Sequence, residues 1–293
     1  MPGFRSAARV ALCAQLRRAE RTVQGVRTAQ TLSGSARGRI MIPARAPLVD
    51  LSLFDGLFKP LRGLRVGFIQ LPGNHGDSMI FMATRQLLDA HDIDYRIVDL
   101  EEIQAERLEG DVDEILIGGG GSLGTTYRRN FNLRRQVRSL DRPITILPQT
   151  IVDMNEALAS FGKVYAREQT SAAMGGGLDL YPDLALGLAW EIVSRPATGT
   201  GVYLRGDRER RLPQTRLSIG DPVDLCSSVA EYIALAGRHA HLVTDRLHFA
   251  IAGLMHGVKV TLLPGAYFKN RAMYETWLFD LGCGWLESLD GLG

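Results

Sequence analysis

The feature that most constrains the fold is a repeated alternation of a short apolar run, a polar or glycine-rich turn, and a stretch with helical periodicity. Leu64–Leu71 runs into Pro72-Gly73-Asn74-His75-Gly76-Asp77-Ser78, and a helix follows to about His91 with Met79, Met82, Leu87 and Leu88 at its apolar positions. Residues 95–100, 115–117, 144–148 and 164–167 read as further strands. After a small, turn-rich connector at residues 194–201 the pattern resumes with strands at 202–204, 217–219, 242–244 and 258–263. Helices at 224–236, 247–255 and 270–281 separate or follow them. Strands joined by helices imply a parallel sheet with helices on both faces. The expected class is therefore α/β. Residues 46–193 form one Rossmann-like half, residues 194–293 a compact second half, and a cleft between them is a natural meeting place for two substrates.

Charge divides the chain differently. Residues 1–40 hold eight arginines and one acidic residue, Glu20, so the arm is +7 and the remainder −5. The body is then no nucleic-acid surface by charge, and no long uncharged apolar stretch is available to span a membrane. Residues 1–45 read as a basic, poorly ordered extension. A transit-like segment and a basic segment touching an anionic membrane through residues 1–40 are the alternatives. Cys13, Cys226 and Cys283 are too few and too far apart for a disulfide framework or a metal site, and a reducing compartment fits them.

The chemistry concentrates in residues 241–264, where a strand ends in Thr244-Asp245-Arg246-Leu247-His248 and a helix begins. Ligands of open α/β sheets bind beyond the carboxyl ends of strands, where helix N-termini attract anions. Arg246 and His248 at such a place suggest an anionic small molecule. Two residues apart, they share a side only if the segment is extended, so the helix should begin at or just after the motif. Arg205, at the exit of the 202–204 strand, and Lys269 are further candidate cations.

On the opposite half, Asn74, His75, Asp77 and Ser78 crowd one strand-to-helix turn; Asp77 or Ser78 capping the helix explains only one of them. The run Gly118–Gly121 contains one G-x-G-x-x-G, at Gly119, Gly121 and Gly124. It offers either an anion-binding nest or a close approach of the two halves of the molecule, with Ser122 beside it. The arginines of residues 125–140 read mostly as a solvated face, with Tyr127–Asn130 a candidate acceptor contact. Arg167 is expected to pair with Glu168, Thr170 or Ser171 to cap the next helix, and Asp183 to order a turn or bind. Arg246 has Asp245 as a possible structural partner, and His256 is expected as a helix C-cap.

Taken in order, Gly73–Asp77, Gly118–Gly121, Tyr165–Ser171, Pro182-Asp183-Leu184-Ala185 and Thr244–His248 resemble the polysaccharide pyruvyl transferase family from about residue 64 to 277. The resemblance implies a GT-B-like pair of Rossmann-type domains that transfers a unit from phosphoenolpyruvate to a sugar, leaving a pyruvate ketal and phosphate. It makes Arg246, with Arg205, Lys269 and His248, the donor contacts. His248 is the candidate general acid and Asp77 the acceptor base, with His75 as competitor. Asn74, His75, Gly119, Gly120, Gly121 and Ser122 would line the acceptor side. The acceptor is a saccharide or a lipid-linked oligosaccharide, the site is cytoplasmic with possible peripheral membrane contact, and neither metal nor resident cofactor is expected. A nucleotide-sugar glycosyltransferase of the same architecture is the competing enzyme, and a carbohydrate- or anion-binding protein without turnover the competing non-enzyme.

Overall fold

A computed structural model describes residues 46–105, 107–192 and 197–291; the basic arm and the centre of the connector, residues 193–196, lie outside the described residues. Residues 44–293 make one unit, and it carries two all-parallel sheets. The first is built from β1 (Arg65–Ile69), β2 (Asp94–Ile97), β3 (Glu114–Ile117), β4 (Gly120–Leu123), β5 (Ile144–Ile151) and β6 (Lys163–Ala166), in the order β2-β1-β3-β5-β4 with β6 also on β5. The second holds β7 (Thr200–Tyr203), β8 (Ser218–Gly220), β9 (His241–Thr244), β10 (Lys259–Leu262) and β11 (Gly284–Trp285), in the order β11-β10-β9-β7-β8. The mixed α/β class with parallel sheets follows the apolar runs, because strands buried on both faces need no polar alternation.

The helices are α1 (Asp55–Phe58), α2 (His75–Ala90), α3 (Leu100–Gln104), α4 (Arg128–Val137), α5 (Gln169–Met174), α6 (Pro222–Leu225), α7 (Val229–Ala236), α8 (Leu247–His256) and α9 (Lys269–Met273). Several are shorter than their periodicity suggests. Residues 224–236 are not one helix: α6 stops at Cys226 and Ser228 caps α7 through the Glu231 N–H. The last helix is cut to α9 and one π-helical turn, Tyr274–Leu278. Around Glu156–Phe161 only a 3₁₀ turn forms, Leu158–Ser160.

Helix α2 joins the sheets. Met79, Ile80, Ala83, Leu87 and Leu88 are buried on it, and it packs on α7 and α8 of the second half. One apolar cluster therefore runs from Phe54, Phe68 and Leu87 through Met79 to Tyr232, Phe249 and Leu254. A continuous core of this kind holds the strand exits of both sheets in a fixed relation.

The glycine run takes a form the sequence reading did not anticipate. It does not open a helix: residues 120–123 are strand β4, which lies against Gln149–Ile151 of β5 as β3 lies against Ile144–Ile146. Gly120, at φ 148°, and Gly124, at φ 115°, adopt backbone angles that side chains disfavour. The arginines after it are not all solvated either. Arg134 is fully buried and pairs with the equally buried Glu156 at 2.6 Å. Among the described residues no helix is long and apolar enough to cross a membrane.

Candidate functional site

Both sheets present their carboxyl ends to one region, and each candidate residue is placed there by a strand exit. β9 ends at Thr244, Arg246 remains extended as the N-cap of α8 (φ −90°, ψ 107°), and the helix starts at Leu247. That is the conformation the Arg246/His248 spacing requires.

The Arg246 guanidinium, 6% exposed, forks onto Asp221 through Nε at 3.0 Å and through Nη2, and its Nη1 reaches Asp207 Oδ2 at 3.0 Å. Its partners are thus Asp221 and Asp207. Asp245 instead accepts the Arg205 backbone N–H at 2.8 Å, which corrects the Arg246–Asp245 pairing. Asp221 is fixed because it also caps α6 through Val223 N–H and accepts Gly206 N–H at 2.7 Å.

Arg205 lies beside Arg246. It donates to Asp207 at 2.8 Å and to Glu209 at 2.6 Å. Glu209 gathers a second and third group: Lys269 Nζ at 2.6 Å and the Tyr127 hydroxyl, which comes from the first half. Burial opposes the charge on Glu209, but Lys269 and Arg205 outweigh it and hold the carboxyl down at about 2. Asp245 behaves in the opposite way, burial pushing it up to about 6. The three cations read from the sequence are therefore one network, carried on two shared carboxylates. Around it sit three buried atoms that lack a hydrogen-bond partner: Asp245 Oδ2, the Tyr267 hydroxyl and Asn270 Oδ1. Buried polar groups are rarely left so.

His248 belongs to a second cluster. Its Nε2 lies 3.4 Å from Asp183 Oδ2, and Arg167 Nη1 lies 2.6 Å from the same oxygen. Asp183 Oδ1 accepts Ala185 N–H at 2.9 Å. Burial alone would raise the Asp183 carboxyl; the charges of His248 and Arg167 overcome it and hold the group well below the usual carboxylate range. Arg167 is accordingly paired with Asp183 and not with Glu168. Glu168 caps α5 through Ser171 N–H, the role expected of Thr170 or Ser171. The other face of His248 meets the start of α2: a Cβ on Gly76 would stand 2.5 Å from His248 Nδ1.

At that start, Asn74 accepts the Gly76 N–H and Asp77 Oδ2 accepts the Asn74 N–H at 2.7 Å, a reciprocal capping box. Asp77 thus caps, as the simpler reading held, yet it also lines a small cleft with Gln70, Phe81, Gly119, Ser122 and Asn130. Gly120 faces it, a Cβ there falling 3.5 Å from Asp77 Oδ1, while Gly121 lies against Arg167 Nη2 and the Lys269 stem. His75 turns away, its Nε2 3.0 Å from the Cys226 carbonyl and its ring against Tyr232. His256 is bonded to the Ile233 carbonyl of α7, and Gly257, at φ 70°, ends α8 in its place.

Asp207, Glu209 and Asp221 were not singled out as site residues from the sequence, and Tyr127, read there within a candidate acceptor contact, instead joins the Glu209 network. The usable signal was the alternation Arg205-Gly206-Asp207-Arg208-Glu209 directly after a strand exit. Asp221 gave none beyond its place before Pro222. Among the described residues, no three His, Cys, Asp or Glu side chains are grouped to hold a metal ion.

Comparison with known proteins adds the following. The family model described as polysaccharide pyruvyl transferase matches residues 74–265, more than half of the chain, including Asp77, Asp183, Arg205, Arg246 and His248 but not Lys269. No significant match exists among functionally curated proteins. Among solved structures, a functionally uncharacterized protein from Klebsiella pneumoniae subsp. pneumoniae NTUH-K2044 is similar at TM-score 0.68 and 21% identity, over 82% of this chain and 99% of that one. That likeness shows the fold. A galactofuranose binding protein (TM-score 0.32, 11% identity, 69% and 75% covered) is more distant. So is the arabinose transporter binding protein of Shewanella sp. ANA-3 (TM-score 0.30, 12%, 68% and 73%).

Proposed function

The chain belongs to the polysaccharide pyruvyl transferase family, and from that membership we propose a specific reaction. A pyruvyl group passes from phosphoenolpyruvate to two hydroxyls of one sugar in a polysaccharide or its lipid-linked repeat, giving a ketal and free phosphate. The family supports pyruvyl transfer to a polysaccharide in general; the donor, the ketal and a cytoplasmic setting are our reading.

Phosphoenolpyruvate sets a carboxylate and a phosphate on one small frame, so its site needs two anchors at fixed separation. Arg246 and Arg205, with Lys269, offer planar forks and a point charge for this. One of their present partners allows exchange: Asp207, shared by both arginines, is 43% exposed, while Asp221 is buried and Glu209 largely so. In the proposed sequence the N–H bond of protonated His248 breaks, its proton going to the methylene carbon of the donor, whose π pair forms the new C–H bond. The adjacent carbon accepts the first sugar hydroxyl oxygen, whose proton passes to Asp77. The second hydroxyl oxygen then displaces phosphate, which leaves with the C–O bonding pair and takes that hydroxyl's proton, and the ketal closes. One oxygen of Asp77 caps α2 and the other faces Gly120 and the cleft, so capping and base roles are compatible on one carboxylate.

The observation that carries the reading is the meeting of two motif segments from opposite sheets, the Gly76 backbone lying directly on the His248 ring. The test is calorimetric titration with phosphoenolpyruvate and, separately, a uridine nucleotide sugar, on wild type and Arg246→Ala. Binding of phosphoenolpyruvate alone, lost in the variant, is expected. Binding of the nucleotide sugar alone would replace pyruvyl transfer with glycosyl transfer.

A further inference from the structure

Asp183 reaches His248 from the other sheet. It follows β6, its chain tied there by the Ala166–Leu180 bridge, and it caps the 3₁₀ turn Leu184–Gly187 through Ala185 N–H. Its side chain is 1% exposed and that of His248 12%. Arg167 shares the Asp183 carboxylate and is itself tied to Thr150 Oγ1 through Nε at 2.9 Å. The carboxylate is therefore held by Arg167 and the Ala185 N–H apart from the imidazole, and cannot follow the ring if it moves. On the other edge of the ring, the Gly76 α-carbon comes so close that an added Cβ would meet Nδ1 at 2.5 Å, and Cβ and Cγ of His248 at 2.7 Å. A neutral imidazole carries one N–H, and the partner of that nitrogen selects which one.

We infer that Asp183 and Gly76 are positioning residues for His248: Asp183 fixes Nε2 as the N–H nitrogen, and the bare Gly76 backbone leaves Nδ1 as the nitrogen that exchanges the proton with substrate. This rests on the proposed pyruvyl transfer only for the identity of the substrate. In the transfer step the doubly protonated ring gives up its Nδ1 proton to the methylene carbon. It emerges neutral with the Nε2 proton still on Asp183, so the tautomer does not change through the cycle. Glycine suits the position for the contact and not for its backbone angle, because Gly76 lies within the first turn of α2, where alanine is intrinsically the better helix former by about 1 kcal/mol.

The first test needs no change near Asp183. Long-range ¹H–¹⁵N spectra of the full-length protein, with His248 assigned by its loss in His248→Gln, report which ring nitrogen carries the proton in the neutral ring. The expected pattern has Nε2 protonated and Nδ1 not; the reverse pattern overturns the inference. Asp183→Asn should then populate both tautomers. It should lower kcat by about 10–100-fold, the range of an oriented acid or base, while donor KM changes less than about threefold. An unchanged tautomer together with unchanged kcat would reduce Asp183 to scaffolding.

Because Asp183→Asn leaves Arg167 buried beside a neutral group, the double variant Arg167→Met/Asp183→Asn supplies a charge-balanced background for the same spectra. Gly76→Ala should displace the His248 ring and lower kcat by about tenfold or more; the overpacking also lowers the thermal midpoint, so kcat is read well below that midpoint, on folded protein. Full activity in Gly76→Ala would remove its part. If wild type shows no transfer from phosphoenolpyruvate yet the spectra show Nε2 protonated, the reaction fails and the positioning of His248 stands.

Discussion

Two arginine–carboxylate sites occupy the two halves, and they differ in how they are closed. Arg134 and Glu156 are both fully buried; the guanidinium also donates to the carbonyls of Ser122 and Gly124, so the pair pins strand β4 to helix α4. Arg246 and Arg205 are nearly as buried, at 6% and 3%, yet the carboxylate they share, Asp207, is 43% exposed. A carboxylate with no route to solvent cannot give way to an incoming anion. One that reaches solvent can leave and make room for a ligand's anion. Burial of the cation is similar in the two sites, so the partner's exposure separates a girder from a binding site.

The largest expected effect breaks the closed site. Glu156→Ala leaves the Arg134 charge buried and should cost about 3–5 kcal/mol of stability, read as a fall in urea midpoint with no change in slope. Arg246→Ala should behave differently. It removes charge-assisted bonds to the donor worth about 1.5–3 kcal/mol, a loss of roughly 10–100-fold in phosphoenolpyruvate affinity, with a smaller fall in the urea midpoint than Glu156→Ala. If Arg246→Ala unfolds the protein and Glu156→Ala does not, the assignment of roles is reversed.

How much of this contrast was legible in the sequence depends on range. The alternation of strands and helices is local, and it placed β1, β9, α2 and the start of α8 correctly because their apolar runs and caps lie within a few residues. The Arg246/His248 spacing also required an extended turn, which is what forms. Pairing is not local. Arg134 finds Glu156 across 22 positions, Arg167 finds Asp183 across 16, and Arg246 finds Asp221 across 25. Sequence neighbours such as Glu168 and Asp245 were the natural guesses and were wrong, since each is spent on a backbone N–H. That the glycine run continues as a strand is likewise settled at a distance, by β5 alongside it and not by the glycines.

A middle-sized effect sharpens the comparison through pH. Asp245 has an ordinary carboxyl value of 3.8 and is pushed up to about 6 by burial. The folded state therefore holds this proton more tightly than the unfolded chain does. Its contribution is fully present below about pH 4 and is lost as pH rises through about 6, a change of the order of 1–3 kcal/mol. Asp245→Asn keeps an oxygen for the Arg205 N–H and removes the titration. Unfolding measured at pH 5 and pH 7.5 should show a smaller drop between the two than in wild type. An identical drop would mean that the buried Oδ2 carries no such cost.

The smallest effect is the most discriminating, because its sign differs between the two sites. Deleting the charge of Glu156 removes the carboxylate that Arg134 has among the described residues, whereas Asp207→Asn leaves Arg246 with Asp221 and Arg205 with Glu209. No cation is stranded, so the stability change should stay under about 1 kcal/mol. What the substitution removes is the anion that competes with the ligand for Arg205 Nε and Arg246 Nη1. Phosphoenolpyruvate should therefore bind about two- to fivefold more tightly, with the gain shrinking as salt is raised because Asp207 is partly solvated. Weaker binding in Asp207→Asn would mean that this carboxylate orients the two guanidiniums for the donor and does not yield to it. The open site would then differ from the Arg134 site only in exposure.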